Sequence, residues 1–454
     1  MRSTQAEAVV VAQEARIDVE LTAKQDEGKP PAEASATLAG ALEPGVWFAS
    51  PARTARAEDQ KPVIWELRSS RPYRREVATG TAAVYLANGH NSLERPFIFA
   101  DGFNYGPSDL PGLWEHFNAP YKKGKPGFLD QLLAAGIDVV LVGFDQRHTY
   151  IQANAGVVIS AIQQAIAERQ GNTPLIVGGV SMGGMITRYA LAEMEHHGMD
   201  HQTETYISWD TPHNGAWIPL VLQQMAYFFE SFPTGNPDAP KQADLIRSPA
   251  AQQLLWAWVE NAKYSGPVAT TSEPRKQFLA ELEQYGQFPM RPRKLGVANG
   301  TGTGTGRDLP PGKTVFDWRL PLVAAATARF QPDAGEHQPI GEMKALGQVR
   351  RGNTSHVPAL DGAPGGSLGS FGMIADALKA EIPQEYRSGC FVPAVSAVAL
   401  DFDPVTWNVN PYEDIESLPA EKSMLDEFKC DTENTEHSQV TETLADWIVE
   451  RLAR

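Results

Sequence analysis

The stretch PLIVGGVSMGGMITRYALAEM, residues 174–194, joins an apolar run directly to a helical pattern. The run is short and apolar, which predicts a buried strand, and a helix begins at its end. A single hydroxyl, that of Ser181, lies at the junction between Gly179 and Gly183. Glycines at these spacings let a strand and a helix pack closely, so that the turn lifts the serine oxygen out of the sheet. A serine capping an ordinary turn is the alternative, but it does not explain both glycines.

Strand and helix patterns alternate on both sides of this junction. The sequence predicts strands within 95–103, 137–145, 174–180 and 203–215, and helices within 127–136, 153–171 and 181–198. Nearly continuous apolar strands that alternate with helices indicate a parallel sheet covered on both faces.

Three motifs resemble those of the α/β-hydrolase superfamily, and more narrowly its lipase and esterase branch, which includes bacterial lipases and the GPI inositol-deacylases. They are Asp-Gly-Phe at 101–103, Gly-Val-Ser-Met-Gly at 179–183 and Asp-Thr-Pro-His-Asn-Gly at 210–215. Lipases of this branch often have a His-Gly-x loop and a Gly-Thr-Pro-His-x-Gly turn in the outer two places. The match covers roughly residues 95–215, and the C-terminal half matches only in outline. The resemblance implies a mostly parallel central sheet flanked by helices.

Composition and the resemblance together divide the chain into segments. We expect residues 1–45 to be a tail or a loosely attached segment and residues 46–454 to form the hydrolase domain. Within that domain we expect a helical cap at about 216–290, inserted after the strand that follows the serine turn, and a Pro/Gly-rich insertion at about 307–388. Trp217, Leu220 and Phe228 lie in the cap segment. They either line a pocket for an apolar group or belong to a helix buried on the core, which is the more common arrangement.

A serine nucleophile needs a general base, and an acid should orient that base. In this fold the chain order is Ser, then Asp or Glu, then His. His437 follows a long polar loop and precedes the last helix, where the resemblance places the base. His356, in a Gly/Asn/Ser loop, is the weaker alternative, and His213 lies in a turn whose histidine is structural in lipases.

The best candidate for the acid is Asp210, which ends the strand after the nucleophile strand and should emerge at the same sheet edge as Ser181. A turn-forming aspartate is the alternative. In bacterial lipases the acid usually lies in a later Asp-Gly-x-Val-x-x-x-Ser stretch, but the matching stretch at 389–396 reads GCFVPAVS and has no aspartate. Asp401 and Asp403 are therefore the remaining alternatives.

The oxyanion that forms during acyl transfer needs two backbone N–H donors. One should come from Met182, after the nucleophile, and the other from Phe103. Asp101 replaces the histidine of the resembling motif. Because a carboxylate near an oxyanion is unfavourable, we expect Asp101 to point away and order its own loop.

The charge and composition of the chain limit the kinds of partner that it can bind. The net charge of −16 and a pI near 5.1 oppose binding to nucleic acid or to an anionic membrane surface. No apolar run approaches the roughly 18–20 residues that cross a bilayer. The mechanism requires neither metal nor organic cofactor, although the resemblance leaves a structural calcium open, and the oligomeric state is not defined.

The two cysteines bear on location. Cys390 and Cys430 are either unrelated buried thiols or a disulfide that tethers the His437 loop, as in some secreted lipases. A disulfide favours a secreted or periplasmic protein. The N-terminus does not have the pattern of a signal peptide, which leaves a cytoplasmic location as the alternative.

The sequence therefore predicts a carboxylic ester hydrolase that works through an acyl-enzyme on hydrophobic esters. A thioesterase, an acyltransferase or a polyester depolymerase could use the same serine. A non-catalytic binding protein on this scaffold is an alternative of a different class, supported only by the missing late aspartate.

Overall fold

The computed structural model describes residues 16–21, 61–230, 232, 242–260 and 269–453. The strands are β1 (Arg16–Leu21), β2 (Val63–Arg68), β3 (Thr79–Tyr85), β4 (Pro96–Ala100), β5 (Asp138–Phe144), β6 (Leu175–Val180), β7 (Thr203–Trp209), β8 (Trp258–Val259), β9 (Ala269–Thr270), β10 (Arg293–Thr301), β11 (Thr314–Leu320), β12 (Ala324–Arg329), β13 (Gln338–Ala345), β14 (Gln348–Ser355), β15 (Gly365–Leu368), β16 (Gly389–Pro393) and β17 (Glu427–Asp431). The α-helices are α1 (Leu110–Asn118), α2 (Phe128–Ala134), α3 (Ile151–Glu168), α4 (Met182–His196), α5 (Leu220–Glu230), α6 (Gln242–Arg247), α7 (Pro249–Leu254), α8 (Glu273–Gln284), α9 (Ser370–Leu378), α10 (Ala394–Ala397) and α11 (Glu442–Leu452).

A central sheet of eight strands has the order β2-β3-β5-β4-β6-β7-β10-β17. Strand β3 is antiparallel to β2 and β5, and every pairing from β5 to β17 is parallel. Strands β4, β5 and β6 are buried along their whole length. This confirms the predicted mostly parallel sheet, whose middle strands are shielded from water by helices on both faces.

The two faces of the sheet use alternate residues of the same strands, because successive side chains of a strand point to opposite sides. Ile98 and Ala100 of β4 pack with α3, α4 and α8, whereas Phe97 and Phe99 pack with α1, α2 and α11. Because β4, β6, β7 and β10 run parallel, their carboxyl ends lie at one edge of the sheet, where the segments that follow them begin.

The insertion at 307–388, whose sequence has short strand-like pieces, forms a second sheet that the sequence analysis does not predict. Strands β11–β14 form an antiparallel sheet with β1 at its edge, in the order β1-β14-β13-β12-β11. Helix α5 packs on it at two glycines. A Cβ at Gly341 would lie 2.6 Å from Val221 Cγ2, and a Cβ at Gly352 would collide with Gln224 Oε1. The first helix of the predicted cap and the Pro/Gly-rich insertion are therefore parts of one layered unit.

The N-terminal segment contributes one strand to this unit. Strand β1 pairs antiparallel with β14, with Arg16 opposite Ser355 and Leu21 opposite Arg350. The sequence analysis, which expects residues 1–45 to be a tail or a loosely attached segment, does not predict this pairing. The rest of residues 1–45 lies outside the described residues.

The three apolar residues proposed for a substrate pocket are all buried. Trp217, Leu220 and Phe228 are between 1 and 2% exposed and belong to a cluster that includes side chains of β11–β13. In the structure they are part of the core between α5 and the antiparallel sheet, so a role in substrate binding stays a prediction. In the described part of the chain, no helix combines the length and the apolar character needed to cross a bilayer.

A buried carboxyl group links the segment before α5 to the insertion. Asp361 is 1% exposed, and its two oxygens accept hydrogen bonds from Trp217 Nε1 at 2.7 Å and from the Gln331 N–H at 2.6 Å. Burial raises the pKa of Asp361 to about 6, although both hydrogen bonds act in the opposite direction. The native state therefore binds this proton more tightly than the unfolded chain does.

We predict that Asp361 makes the stability of the protein depend on pH. Its contribution is greatest below the unfolded pKa of about 3.9 and is lost as the pH rises through 6. Relative to Asp361→Asn, the wild type should lose on the order of 2 kcal/mol of unfolding free energy between about pH 4.5 and about pH 7.5. Urea unfolding at both pH values measures this difference, with the exposed Asp130→Asn as control. A difference that does not change with pH would contradict the prediction.

Candidate active site

Ser181 lies on the tight turn between β6 and α4. Its φ and ψ are 54° and −127°, a conformation that is costly for a residue with a side chain and that occurs mainly where the surrounding structure imposes it. The predicted glycines are required by packing. A Cβ at Gly179 would collide with the backbone of Gly183, and a Cβ at Gly183 would collide with the carbonyl of Ala100. These contacts explain why the serine is flanked by glycines on both sides.

Asp210 lies beside this turn, at the end of the neighbouring strand β7. The Ser181 N–H donates to the carbonyl oxygen of Trp209 at 2.8 Å, so the serine and the aspartate emerge at the same sheet edge. Asp210 is fully buried and also has a positive φ, of 44°. Its Oδ1 accepts a hydrogen bond from the Asn299 N–H at 3.0 Å.

The other oxygen of Asp210 binds His437. Nδ1 of His437 lies 2.7 Å from Asp210 Oδ2, and the histidine is 8% exposed. The carboxylate accepts the proton on Nδ1, which leaves Nε2 as the basic nitrogen of the neutral ring. The structure thus brings together the aspartate and the histidine that the sequence analysis selected.

The loop that carries His437 is held by strand β15 of the insertion. The His437 N–H donates to Ser367 O at 2.8 Å, and the Ser367 N–H donates to Thr435 O at 3.0 Å. Asn299 Nδ2 donates to Thr435 Oγ1 at 2.9 Å and to Gln439 O at 2.8 Å. The sequence analysis missed Ser367 and Asn299, because neither stands in a motif and both act on residues far along the chain.

Two further contacts fix the geometry of this pair. Phe391 presents its ring edge-on to the imidazole of His437, with centroids 4.9 Å apart. Gly366 lies directly against the carboxylate of Asp210, where an added Cβ would collide with Oδ2. The position therefore excludes a side chain because the carboxylate of Asp210 occupies that space.

The loop after β4 crosses over the serine. A Cβ at Gly102 would lie 3.1 Å from Ser181 Cβ, and the Gly102 N–H donates to its neighbour Asp101 Oδ1 at 2.8 Å. Asp101 thus orders its own loop and engages the Gly102 N–H, which leaves Phe103 as the proposed donor of this loop. The other proposed donor, Met182, is the first residue of α4, where N–H groups have no acceptor within the helix.

The alternative residues make their contacts elsewhere. His356 Nε2 lies 3.7 Å from Glu336 Oε1. Asp403 accepts hydrogen bonds from the Val405 N–H and from the Thr406 hydroxyl, both at 2.8 Å. Asp401 is exposed. None of these contacts involves Ser181, Asp210 or His437.

His213 is fully enclosed in its turn. Arg188 Nη1 donates to the carbonyl oxygen of His213 at 3.3 Å, and the ring lies 5.1 Å from that of Phe288. Burial, with Arg188 as a second cause, lowers the pKa of His213 well below its ordinary value. A neutral, enclosed imidazole fits the structural role that the sequence resemblance implies.

The two cysteines are separate buried thiols and do not form a disulfide. Burial raises the pKa of Cys430 to about 12 and that of Cys390 well above its ordinary value. Of the two alternatives, the structure contains the unrelated thiols. Among the described residues, no three His, Cys, Asp or Glu side chains are grouped so that they could hold a metal ion.

Comparisons with known proteins give likenesses in structure only. No known protein family and no curated protein matches the sequence. A mature lipase of Bacillus licheniformis is 16% identical and has a TM-score of 0.30, over 48% of this chain and 71% of that one. Carboxyl esterase 2 of the fungus Tuber melanosporum is 13% identical, with a TM-score of 0.32, over 59% of this chain and 79% of that one.

A thermostable carboxylesterase from a metagenomic library is 12% identical, with a TM-score of 0.30, over 58% of this chain and 73% of that one. Because these TM-scores are low, the fold is identified from the chain's own strand order and from the turn at Ser181. The chain has an α/β-hydrolase fold.

On the expectation that Asp210 and His437 act as acid and base, we predict that Gly366→Ala displaces Asp210 and lowers kcat in an ester-hydrolysis assay by about 100-fold or more, because a misoriented His437 loses most of its effect as a base. Gly369→Ala is the matched control in the same segment, since its Cβ would lie 3.7 Å from Ser388 Oγ. Steady-state kinetics with thermal unfolding of both variants test this. Equal activity of the two folded variants would contradict the prediction.

Proposed function

We propose that this chain is a serine hydrolase of carboxylic esters that works through an acyl-enzyme. The observation that carries the proposal is the 2.7 Å contact between His437 Nδ1 and Asp210 Oδ2 at the sheet edge where the strained Ser181 emerges. A buried carboxylate that holds one nitrogen of an imidazole is the arrangement that makes the other nitrogen a general base.

The proposed mechanism assigns one role to each group. Ser181 Oγ attacks the ester carbonyl while His437 Nε2 takes its proton, and the same nitrogen then protonates the departing alcohol. Asp210 keeps the imidazole in the required tautomer and stabilises its protonated form. Water then attacks the acyl-enzyme with His437 again as the base.

The negative charge of the tetrahedral intermediate is stabilised by backbone donors. We assign this role to the N–H groups of Met182 and Phe103. The N-terminus of α4, directly behind Ser181, adds a favourable partial positive charge. Removing one donor of such a pair commonly costs about 100- to 1,000-fold in kcat.

The substrate we propose is an ester with a hydrophobic acyl or alcohol group. The side chains nearest the site include the ring of Phe391 against His437, and the Trp217 N–H donates to Phe391 O at 2.8 Å. Phe391 and Trp217 belong to the same buried apolar cluster as Leu220 and Phe228, and this supports a hydrophobic group on the substrate beside His437. The location of the protein stays a prediction, either secreted or periplasmic or else cytoplasmic. The free thiols of Cys390 and Cys430 give no support to secretion.

We predict that Ser181→Ala lowers kcat for p-nitrophenyl esters by on the order of 10⁶, and that Asp210→Asn lowers it by about 10⁴. His437→Ala should approach the serine variant, because the two residues act as a unit. Short- and long-chain esters are measured in parallel, and the proposed hydrophobic substrate group predicts higher kcat/KM for the longer chains.

His356→Ala and Asp403→Asn serve as matched controls, because they change a histidine and an aspartate whose contacts are with Glu336 and with Val405 and Thr406. Both should stay within about threefold of wild type. Wild-type activity in Ser181→Ala would contradict the proposal. No activity in the wild type toward any ester would favour the non-catalytic binding protein instead.

A further inference from the structure

A buried negative charge stands next to the place where the proposed mechanism generates another. Asp101 is 1% exposed and immediately precedes Gly102, which lies against Ser181. An uncompensated carboxylate in this low-dielectric surrounding would oppose the formation of an oxyanion a few ångströms away. The site needs a nearby positive charge if it is to work with this residue.

That charge belongs to Arg147, in the segment between β5 and α3. Arg147 Nη1 lies 3.3 Å from Asp101 Oδ2, and the side chain of Arg147 is only 13% exposed. The same guanidinium reaches two carbonyl oxygens of the loop, with Nη2 3.2 Å from Tyr105 O and Nε 3.4 Å from Gly106 O. One planar fork therefore binds the acid at the start of the loop and the backbone at its far end.

The backbone of the same segment adds to this clamp. The Arg147 N–H donates to Gly106 O at 3.3 Å. The neighbouring His148 stacks on Tyr105, with ring centroids 4.9 Å apart and planes inclined by 7°. Residues 147 and 148 thus hold both ends of the short stretch that contains Phe103.

We propose that Arg147 is a positioning residue for the oxyanion loop. It neutralises Asp101 and fixes residues 101–106, so that the N–H of Phe103 stays directed toward the developing oxyanion. The inference rests on the proposed function, because it assigns a role within that reaction. It adds a residue that the sequence analysis did not select and explains how an aspartate can stand where the resembling motif has histidine.

Arg147 has two proposed effects, ordering of the loop and neutralisation of Asp101, and removing the charge of Asp101 separates them. If Arg147 only ordered the loop, its removal would be equally harmful whether the wild-type Asp101 or the Asp101→Asn substitution is present. If it also neutralises Asp101, its removal should be much less harmful once the carboxylate is gone. A double-mutant cycle between the two positions therefore distinguishes charge compensation from simple structural support.

The experiment measures kcat and KM for a p-nitrophenyl ester with Arg147→Met, Arg147→Lys, Asp101→Asn and the double variant Asp101→Asn/Arg147→Met. Arg147→Met should lower kcat by on the order of 100-fold with little change in KM, because the loss falls on the transition state. Arg147→Lys keeps the charge and should recover at least about tenfold of that loss. In the Asp101→Asn background, Arg147→Met should cost at most about tenfold, because the carboxylate is gone and only the contacts with Tyr105 O and Gly106 O are lost.

Arg329→Met is the control for the loss of an arginine that binds a carbonyl oxygen, since Arg329 Nη1 donates to Gly312 O at 3.1 Å in the second sheet. Thermal unfolding of every variant shows whether a loss follows from misfolding. If Arg147→Met does not fold, Arg147→Lys and Arg147→Gln are compared with Asp101 intact and again in the Asp101→Asn background, which gives the same coupling.

Wild-type kcat in Arg147→Met, or an equal loss in both backgrounds, would overturn the inference. If either result is obtained while Ser181→Ala is inactive, the proposed ester hydrolase function still stands. Unchanged activity in Ser181→Ala would instead remove the proposed function itself, and the two failures are therefore distinguishable.

Discussion

The hydrogen bond between His437 Nδ1 and Asp210 Oδ2 is the interaction on which the arrangement of the site depends. It joins residues 227 positions apart and lies in a region where both partners are almost completely removed from water. A buried carboxylate is costly unless its oxygens are satisfied, and here the second oxygen accepts the N–H of Asn299. The side chain of Asn299 in turn binds the loop that carries His437, so one residue holds both Asp210 and the His437 loop.

The insertion at 307–388 takes part in the same arrangement. Its strand β15 receives the His437 N–H on Ser367 O, and Gly366 lies against the acid where no side chain fits. The proposed base is thus held by a segment that lies outside the part of the chain resembling known lipases. A loop held through its backbone can keep a side chain in place without any sequence motif, because every non-proline residue can supply such hydrogen bonds.

Local patterns in the sequence predict the parts of the structure that depend on local physics. The alternation of apolar strands and helices between residues 95 and 215 leads directly to the parallel sheet, and the spacing of Gly179 and Gly183 around Ser181 predicts the strained turn. Asp210 and His437 were selected by their position relative to strand and helix ends, and the structure brings them into contact.

Features that depend on the meeting of distant segments could not be predicted. Gly341 and Gly352 lie in strands at which α5 packs closely. Strand β12 is rich in alanine, and β13 and β14 are rich in polar residues, so these strands lack the continuous apolar pattern of the central sheet. Arg147 stands in no motif, and its role depends on the carbonyl oxygens of Tyr105 and Gly106. The pairing of β1 with β14 joins segments at opposite ends of a long stretch of chain, and no short window of sequence contains both partners.

The central claim is that Ser181 is a nucleophile activated by the His437–Asp210 pair. The most direct measurement is peptide mass spectrometry after treatment with a p-nitrophenyl phosphonate, which reacts with an activated serine at the site where an ester would react. The account predicts one phosphonyl group per folded chain, on Ser181, and none in His437→Ala over the same time. Labelling of another residue, or an unlabelled folded wild type, would contradict it.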